Sequence, residues 1–318
     1  MADANDRAQF WIDRYIRHLA TTAVQATLSA YTFDLQQAQG YALDTGLPAI
    51  PEWSSEHADR WLQWLREEQG YRPGTVARRQ HAMRSFHYFL IDEGNRTDVA
   101  CQTPTKRRQR RPRTLEADEL YRIFMQRTPV GKRYGCLLEL MYATGARSTE
   151  IVALQLGDVR VVTHSKAAII LSRGSKRQQR IVPLYRAATV RLVEYLKKER
   201  PAEVRRTGAR SIALFPGKRD DGYLTRQAVN AALDDIAVRA EVDKDGLTPG
   251  TLRHTFARRL IVSGLPFRKV KYLLGSHHYQ KKLYGDDVED YAEVTARQAV
   301  ETLGDWRYQQ SATGEIVY

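Results

Sequence analysis

The chain has 318 residues, of which 42% are hydrophobic, and its 50 Lys and Arg against 37 Asp and Glu give a net charge of +13. This length and apolar content suit two packed domains, and the positive charge favours a polyanionic partner. The sequence has no run of 18 apolar residues, no N-terminal pattern like a signal peptide, and no CxxC spacing between Cys101 and Cys136. These features argue against a membrane span, a disulfide framework and a zinc site, so we expect a cytoplasmic protein without metal or other cofactor.

Residues 8–93 are predicted to be helical. In the first helix, five apolar residues recur at the spacing of one helical face: Trp11, Ile12, Tyr15, Ile16 and Leu19. Further helices are predicted over 24–42, around 61–65, and after Pro73-Gly74 with Thr75 as the cap.

The helix after Pro73 has two different sides. One side is an apolar stripe: Val76, Met83, Phe86 and Leu90. The other side shows Arg78, Arg79, His81 and Arg84. Because arginine side chains bind phosphate oxygens, we predict that Arg78, Arg79 and Arg84 contact DNA.

Residues 99–113 are predicted to be a linker between two domains. The segment holds Pro104 and Pro112 and almost no apolar residues, and six of its residues from 106 to 113 are basic. Four of these are predicted to lie along DNA: Lys106, Arg107, Arg108 and Arg110.

A mixed pattern of helices and short strands begins at Thr114, the predicted cap of a helix. A helix over 131–143 leads to Arg147 at the following turn. Strands are predicted over 159–162, 167–171 and 180–184, the last two joined as a β-hairpin by a polar turn that carries Lys176. Helices are predicted to follow at about 186–200, 225–240, 248–263 and 266–274.

Two arginines and a tyrosine in this second part suggest chemistry on a phosphodiester. Arg147 and Arg253 can bind the non-bridging oxygens of one phosphate, and Tyr291 can attack its phosphorus. Glu150, three residues after Arg147, can brace that arginine from behind. Lys176 at the hairpin tip can protonate the leaving 5′-oxygen.

Five segments carry a wider pattern in a fixed order. They are 144–151 with Leu154, Leu156 and Asp158; 173–176 with 180–184; 252–257; 273–275; and 291–295. Together they resemble the motifs of the tyrosine recombinases of the phage integrase superfamily, in particular its Xer-like and transposon-encoded members.

The resemblance implies a mainly α fold with a small antiparallel β-sheet, arranged as a two-domain C-shaped clamp. A helical core-binding, SAM-like domain would span 1–98, a basic linker 99–113, an α+β catalytic domain 114–300, and a C-terminal tail for contact between protomers 301–318.

The resemblance also implies an activity. The protein would be a site-specific recombinase that cleaves and rejoins strands through a 3′-phosphotyrosyl intermediate and a Holliday junction, without metal or ATP. Its partners would be a double-stranded DNA site and three further copies of itself on two sites; the need for an accessory protein is left open. The catalytic residues would be Arg147, Lys176, Arg253, His277 and Tyr291. Arg226 and Gln227 would read bases in the major groove.

The chain departs from the family pattern at several positions. Gly250 stands three residues before Arg253, where the family usually has a histidine, and the lost phosphate donor would cost on the order of 10² to 10³ in rate. Leu274-Gly275 is followed by Ser276 before His277 and His278, so either histidine can take the family's role. Tyr284 is the alternative nucleophile to Tyr291, and Arg173 the alternative to Lys176.

Two rival functions are compatible with the sequence. Gly250 suggests a non-catalytic or weakly catalytic DNA-binding protein on a recombinase scaffold. A topoisomerase with a similar active site would relax supercoils without a defined site. Integration, excision, and cointegrate or dimer resolution remain equally open as outcomes of recombination.

Overall fold

The computed structural model describes residues 2–101, 112–126, 129–163, 166–172, 179–207, 212–275 and 300–307, with side chains described except at 2–4, 129–133 and 305–307. The chain divides into two compact units, Met1–Arg108 and Gln109–Tyr318. This division falls inside the predicted linker.

The N-terminal unit is helical. Its helices are α1 (Ala2–Leu19), α2 (Gln25–Thr45), α3 (Ser55–Glu67) and α4 (Pro73–Asp92). Ile12 and Tyr15 of α1 are buried beside Trp53, Trp61 and Phe86, and the predicted apolar stripe of α4 lies in the same core. The core also holds Ala100 and Cys101, which the sequence assigned to the linker.

Two predicted helix caps are wrong. Helix α4 begins at Pro73, after Arg72, so Thr75 lies inside its first turn. Proline is suited to the first helical position because its φ is already helical and its missing N–H needs no partner there. Helix α5 begins at Ala117 with Glu116 as its cap, and Glu119 Oε2 accepts a 2.9 Å hydrogen bond from the Glu116 N–H, so Thr114 is not the cap.

The second unit combines helices with one small sheet. Its helices are α5 (Ala117–Phe124), α6 (Pro129–Thr144), α7 (Ser148–Val152), α8 (Arg186–Glu194), α9 (Arg200–Thr207), α10 (Arg226–Arg239), α11 (Pro249–Val262) and α12 (Phe267–Leu274). A π-helical turn, Tyr195–Glu199, joins α8 to α9, so helical structure extends past the predicted end at residue 200.

Three antiparallel strands form the sheet in the order β1 (Val159–Thr163), β2 (Lys166–Ser172) and β3 (Gln179–Pro183). The register of β2 and β3 runs from Ala168 opposite Pro183 to Ser172 opposite Gln179, which is the pairing of the predicted hairpin. The mainly α fold with a small antiparallel sheet is confirmed.

Helix α6 is the centre of this unit. All of its described residues from Tyr134 to Thr144 are buried, and it packs against α5, α7, α8, α10 and α11. A helix that is apolar on every side is stable only when surrounded by other elements. Its C-terminal end therefore delivers Gly145 and Arg147 from a fixed support.

The segment just after residue 300 also belongs to this unit. Val300 and Leu303 are buried in its core, and the Tyr142 hydroxyl donates a 2.8 Å hydrogen bond to Leu303 O. Within the described part of the chain, no helix is long and apolar enough to cross a membrane.

Candidate active site

Arg147 directly precedes α7 and is held by Glu150. The Arg147 N–H donates a 2.8 Å hydrogen bond to Glu150 Oε2, and Arg147 Nη1 donates a 3.4 Å bond to Oε1. The carboxylate thereby satisfies a backbone donor that the first helical turn cannot satisfy itself. The Arg147 side chain is 32% exposed, so it is braced on one side and accessible on the other.

Glu150 is buried and binds a second arginine, Arg180 of strand β3. Arg180 Nη1 and Nη2 donate hydrogen bonds of 2.7 and 3.0 Å to Glu150 Oε1 and Oε2, and Arg180 Nε donates a 2.6 Å bond to Leu273 O. Burial by itself would raise the pKa of Glu150, but the hydrogen bonds from Arg180 and from the Arg147 N–H outweigh it and lower the pKa below its usual value. Glu150 therefore remains an anion between two cations.

Arg253 of α11 is buried at a junction of three segments. Its Nη1 donates to Gly145 O, and its Nη2 donates a 2.8 Å hydrogen bond to Leu274 O. One guanidinium thus ties α11 to the turn that precedes Arg147 and to the end of α12.

Two glycines allow the arginine-bearing segments to approach closely. Gly145 has a φ of +59°, and a Cβ at this position would lie 2.5 Å from Phe256 Cδ1. Gly275 has a φ of +58°, and a Cβ there would lie 2.8 Å from Arg180 Nη1. Both positions require a backbone conformation and a space that only glycine provides.

Gly250 lies in the first turn of α11, one helical turn before Arg253. A Cβ at Gly250 would have one neighbour within 4 Å, Thr248 Oγ1 at 3.3 Å, so the space beside it is largely open. His254 is half-buried, and burial together with the charge of Arg253 lowers its pKa, which favours the neutral imidazole.

Arg147 shares a cleft with the helix predicted to read DNA. The cleft has a volume of about 490 Å³ and is lined by Arg147, Ser148, Thr149, Arg226, Gln227 and Asn230. Thr225 caps α10 by accepting a 3.0 Å hydrogen bond from the Ala228 N–H, which fixes the start of the helix at Arg226. The structure therefore brings one predicted catalytic residue and both predicted base-reading residues to one surface.

The predicted phosphate-binding arginines of α4 are not equivalent. Arg79 is 2% exposed, its guanidinium lies 3.8 Å from the centre of the Tyr71 ring, and it pairs with the buried Asp34. Phosphate contact by Arg79 is contradicted by this burial, and the side chain belongs to the core. Arg78 also pairs with Asp34, but its side chain is 40% exposed and so remains accessible to a phosphate.

Arg84 of helix α4 binds the backbone at Cys101. Its Nη1 donates a 3.1 Å hydrogen bond to Cys101 O, and its Nη2 donates a 3.3 Å bond to the Tyr88 hydroxyl. Arg84 therefore fixes the backbone at Cys101, and its predicted contact with DNA stays a prediction.

Several predicted site residues lie outside the described residues. They are the linker residues Lys106, Arg107, Arg108 and Arg110, the hairpin residues Arg173 and Lys176, and the C-terminal candidates His277, His278, Tyr284 and Tyr291. Their assignments stay predictions. Among the residues that are described, no three His, Cys, Asp or Glu side chains are grouped to hold a metal ion.

Sequence reasoning missed the role of Arg180. A signal was present, because Arg180 and Val182 occupy alternate positions of a strand and therefore share the face that packs on the core. A charged residue at a core-facing strand position needs a buried partner, and Glu150 is that partner.

A two-unit, mainly helical fold, with a polar cleft in its second unit lined by Arg147 and Arg226, indicates the class of proteins that bind a nucleic-acid backbone. Comparison with known families narrows this class. Residues 113–282 match the phage integrase family, and residues 12–94 match its N-terminal SAM-like domain.

The curated relatives include Xer proteins from several bacteria. The chain is 32% identical over 277 residues to tyrosine recombinase XerD of Caulobacter vibrioides, covering 85% of this chain and 88% of the relative. It is 34% identical over 257 residues to XerD of Listeria innocua, covering 78% and 83%. It is also 32% identical over 284 residues to tyrosine recombinase XerC of Erythrobacter litoralis, covering 85% and 84%.

Solved structures of recombinases share the fold at lower identity. The Tn1549 transposon integrase in complex with transposon right end DNA has a TM-score of 0.67 at 17% identity, covering 93% of this chain and 98% of that one. The XerH recombinase bound to its difH substrate has a TM-score of 0.65 at 17% identity, covering 88% and 94%. A λ integrase tetramer bound to a Holliday junction has a TM-score of 0.62 at 18% identity, covering 90% and 80%.

The chain belongs to the phage integrase family of tyrosine recombinases. It is a DNA-binding enzyme of site-specific recombination, and the alternative of a binding protein without catalysis is not favoured.

Proposed function

We propose that Arg147 and Arg253 bind the scissile phosphate while Tyr291 attacks it, so that the chain cleaves and rejoins DNA through a 3′-phosphotyrosyl intermediate. The observation that carries this proposal is the joint support of the two arginines. Arg253 donates to Gly145 O, two residues before Arg147, while Glu150 binds Arg147 at both its N–H and its guanidinium. Arg147 follows this turn and Arg253 is tied to it from α11, and two guanidiniums suit the developing charge of a pentacoordinate phosphorus.

The proposed chemical step uses side chains of this chain and a solvent molecule that accepts one proton. The Tyr291 hydroxyl loses its proton to solvent, its oxygen bonds to phosphorus, and the bond from phosphorus to the 5′-oxygen breaks. Lys176 gives its proton to the departing 5′-oxygen. In the reverse step a 5′-hydroxyl attacks the phosphotyrosine and releases the tyrosine, so the bond energy is conserved and ATP is not needed.

Two features modify this site relative to the family pattern. Gly250 supplies no side-chain donor to the phosphate, so we expect cleavage slower by on the order of 10² to 10³ than with a donor at that position. His277 is proposed as the remaining imidazole contact to the phosphate.

The experiment that tests the proposal traps the covalent intermediate. A duplex site is first obtained by selecting, with the purified chain, from a pool of randomised duplexes, and nicks are then placed stepwise along the selected sequence. Cleavage beside a nick releases a short fragment and leaves the protein on the DNA, which is detected by denaturing electrophoresis. Mass spectrometry of the digested adduct identifies the modified tyrosine.

The expected result is an adduct on Tyr291 that Tyr291→Phe abolishes and Tyr284→Phe retains. Modification of Tyr284 would overturn the choice of nucleophile and leave the reaction intact. Specific binding without an adduct on any nicked duplex would support the binding-only function. Relaxation of supercoiled plasmids that lack the selected site would instead support a topoisomerase.

The proposal extends to DNA recognition. Arg226 and Gln227 line the same cleft as Arg147 and open helix α10. Arginine favours guanine and glutamine favours adenine in the major groove, so these side chains are proposed to read bases near the scissile phosphate. The basic residues Lys106, Arg107, Arg108 and Arg110 of the linker are proposed to follow the DNA backbone.

We further propose that four protomers assemble on two DNA sites. The likeness in fold to the λ integrase tetramer on a Holliday junction supports this arrangement. Analytical ultracentrifugation with the selected duplex and with a four-way junction built from it measures the stoichiometry. Four protomers on the junction are expected; two protomers on every DNA would contradict the proposal.

A further inference from the structure

Arg180 is the most completely engaged charged residue next to the two candidate catalytic arginines. Its side chain is 4% exposed, and all three of its nitrogens donate hydrogen bonds, two to Glu150 and one to Leu273 O. The Arg180 guanidinium is engaged with groups inside the protein. Its bonds therefore matter for what they hold in place.

The first group that Arg180 holds is the carboxylate that orients Arg147. Both oxygens of Glu150 bind Arg180 and Arg147 at once, Oε1 at 2.7 and 3.4 Å and Oε2 at 3.0 and 2.8 Å. A planar guanidinium that binds both oxygens fixes the rotation of the carboxylate as well as its position. The direction of the Arg147 side chain therefore depends on a residue 33 positions further along the chain.

The second group is the end of helix α12. Arg180 Nε donates to Leu273 O, and Arg253 Nη2 donates to the next carbonyl, Leu274 O. These carbonyls belong to the last helical turn, which lacks partners within the helix. Arg180 also lies directly against Gly275, since a Cβ at that position would be only 2.8 Å from Arg180 Nη1.

We propose that Arg180 is a positioning residue for recombination: through Glu150 it orients Arg147 toward the scissile phosphate, and through Leu273 O it fixes the end of helix α12 beside the arginines. This inference rests on the proposed role of Arg147. It assigns to one buried side chain the alignment of two segments that the reaction needs together.

A double substitution removes the Arg180–Glu150 pair as a unit and leaves neither of the two charges buried alone. Arg180→Met alone leaves Glu150 buried with less compensation, so the protein will be destabilised and can fail to fold. The pair Arg180→Met with Glu150→Gln removes both charges, which restores much of the stability because neither charge is then left unpaired. Arg180→Lys is the conservative variant, since one ammonium can reach Glu150 but cannot also reach Leu273 O.

A matched control exists in the same unit. Arg191 and Glu199 form a similar two-pronged pair, with hydrogen bonds of 2.6 and 3.0 Å, away from the candidate site. The double variant Arg191→Met with Glu199→Gln therefore removes the same chemical groups without touching Arg147.

The measurements are the melting temperature, the Kd for the selected duplex, and the single-turnover rate of adduct formation on the nicked duplex. For the Arg180 and Glu150 double variant we expect a melting temperature above that of Arg180→Met and a Kd within about threefold of wild type. Its cleavage rate should fall about 100-fold, the scale of a 1 Å misplacement of a reacting group. Arg180→Lys should be intermediate, and the Arg191 and Glu199 control should cleave at the wild-type rate.

Wild-type cleavage by the folded double variant would overturn the proposal, as would an equal loss in the control. If the wild type forms no adduct, the proposed function is overturned and cleavage cannot test the role of Arg180. A second readout therefore measures the order of the Arg147 side chain without cleavage. The ¹⁵N relaxation of the Arg147 Nε–H group reports the order of its side chain. The order parameter should fall in the double variant and stay unchanged in the control; an unchanged value in both would also overturn the proposal.

Discussion

Gly145 joins two of the arginine-bearing segments at the scale of single residues. Its carbonyl accepts from Arg253, its φ is +59°, and Phe256 of the same helix α11 fills the space where a side chain would start. We therefore expect Gly145→Ala to lower the free energy of unfolding by about 2 to 4 kcal/mol, from backbone strain and overpacking together. Urea unfolding measures this change, and cleavage should fall with it because Arg147 follows two residues later.

Gly157→Ala is the control for this substitution. A Cβ at Gly157 has no neighbour within 4 Å, and Gly157 is not in the left-handed region. Its free energy of unfolding should change by no more than about 0.5 kcal/mol. Equal effects of the two substitutions would show that the contact with Phe256 does not restrict Gly145.

Glu150 gives the site a defined dependence on pH. The pKa of Glu150 in the folded protein lies below its usual value, whereas the pKa of a Glu in an unfolded chain is about 4.3. The stabilisation from the ionised carboxylate is therefore fully present above that value and is lost as the pH falls through the lower, folded pKa. We expect the stability difference between wild type and Glu150→Gln to be largest at neutral pH and to shrink below about pH 4.3.

Chemical unfolding of both proteins between neutral and acidic pH measures this difference. The comparison with Glu150→Gln removes the contribution of all other carboxyl groups, which both proteins share. A difference that stays constant across the range would contradict the assignment of an ionised, stabilising Glu150.

At the scale of elements, helix α4 carries two neighbouring arginines in different surroundings, Arg79 in the core and Arg78 at the surface. Arg79 follows Val76 by three residues and precedes Met83 by four, so it lies on the apolar stripe and points into the core. Arg78 is turned by about 100° from it and reaches the surface. Burial raises the pKa of Asp34, and the charges of Arg78 and Arg79 oppose this shift.

Helix α10 carries the prediction about sequence readout. Arg226→Ala should weaken discrimination at one base pair of the site by about 1 to 3 kcal/mol, because it removes one direct contact to a base edge. Repeating the selection from randomised duplexes measures the loss as a broadened preference at that position.

Arg239 at the other end of α10 supplies the control. Its side chain is about half exposed and pairs with Asp235 on the same helix. Arg239→Ala should leave the selected sequence unchanged. A uniform loss of affinity without any change of preference in Arg226→Ala would indicate phosphate contact in place of base reading.

For the whole molecule, the predicted linker carries a dense run of positive charge, with six basic residues among the eight from 106 to 113. Replacing Lys106, Arg107, Arg108 and Arg110 by glutamine removes four charges from the predicted DNA-following segment. If each neutralises one phosphate, the slope of log K against log salt should decrease by about 3 to 4. Filter binding or fluorescence anisotropy at several salt concentrations measures the slope.

The control removes four charges from another surface. Lys197, Lys198, Arg205 and Arg206 are exposed on the π-helical turn and α9. Their replacement by glutamine changes the net charge equally but should change the slope by less than one. Equal slopes for the two variants would show that only net charge, and no specific path along the segment, determines binding.

Much of the architecture could be predicted from local patterns. The helical stripes, the β-hairpin and the two arginine segments depend on residues only a few positions apart, and the family resemblance rests on the same segments. The two predicted helix caps were wrong because other residues start these helices. Pro73 begins α4 in place of Thr75, and the Glu119 side chain binds the Glu116 N–H at the start of α5. Lys176, His277 and Tyr291 stay predictions at motif level.

Local sequence patterns predict the class of fold, the family and the two arginines that we propose bind phosphate. The partners of the buried charged residues became visible only in the folded protein. Arg180 and Glu150 are 30 residues apart, and Arg253 and Gly145 are 108 apart. Local periodicity shows that a side chain faces the core but cannot name its partner, because that partner is selected by the packing of elements distant in the chain.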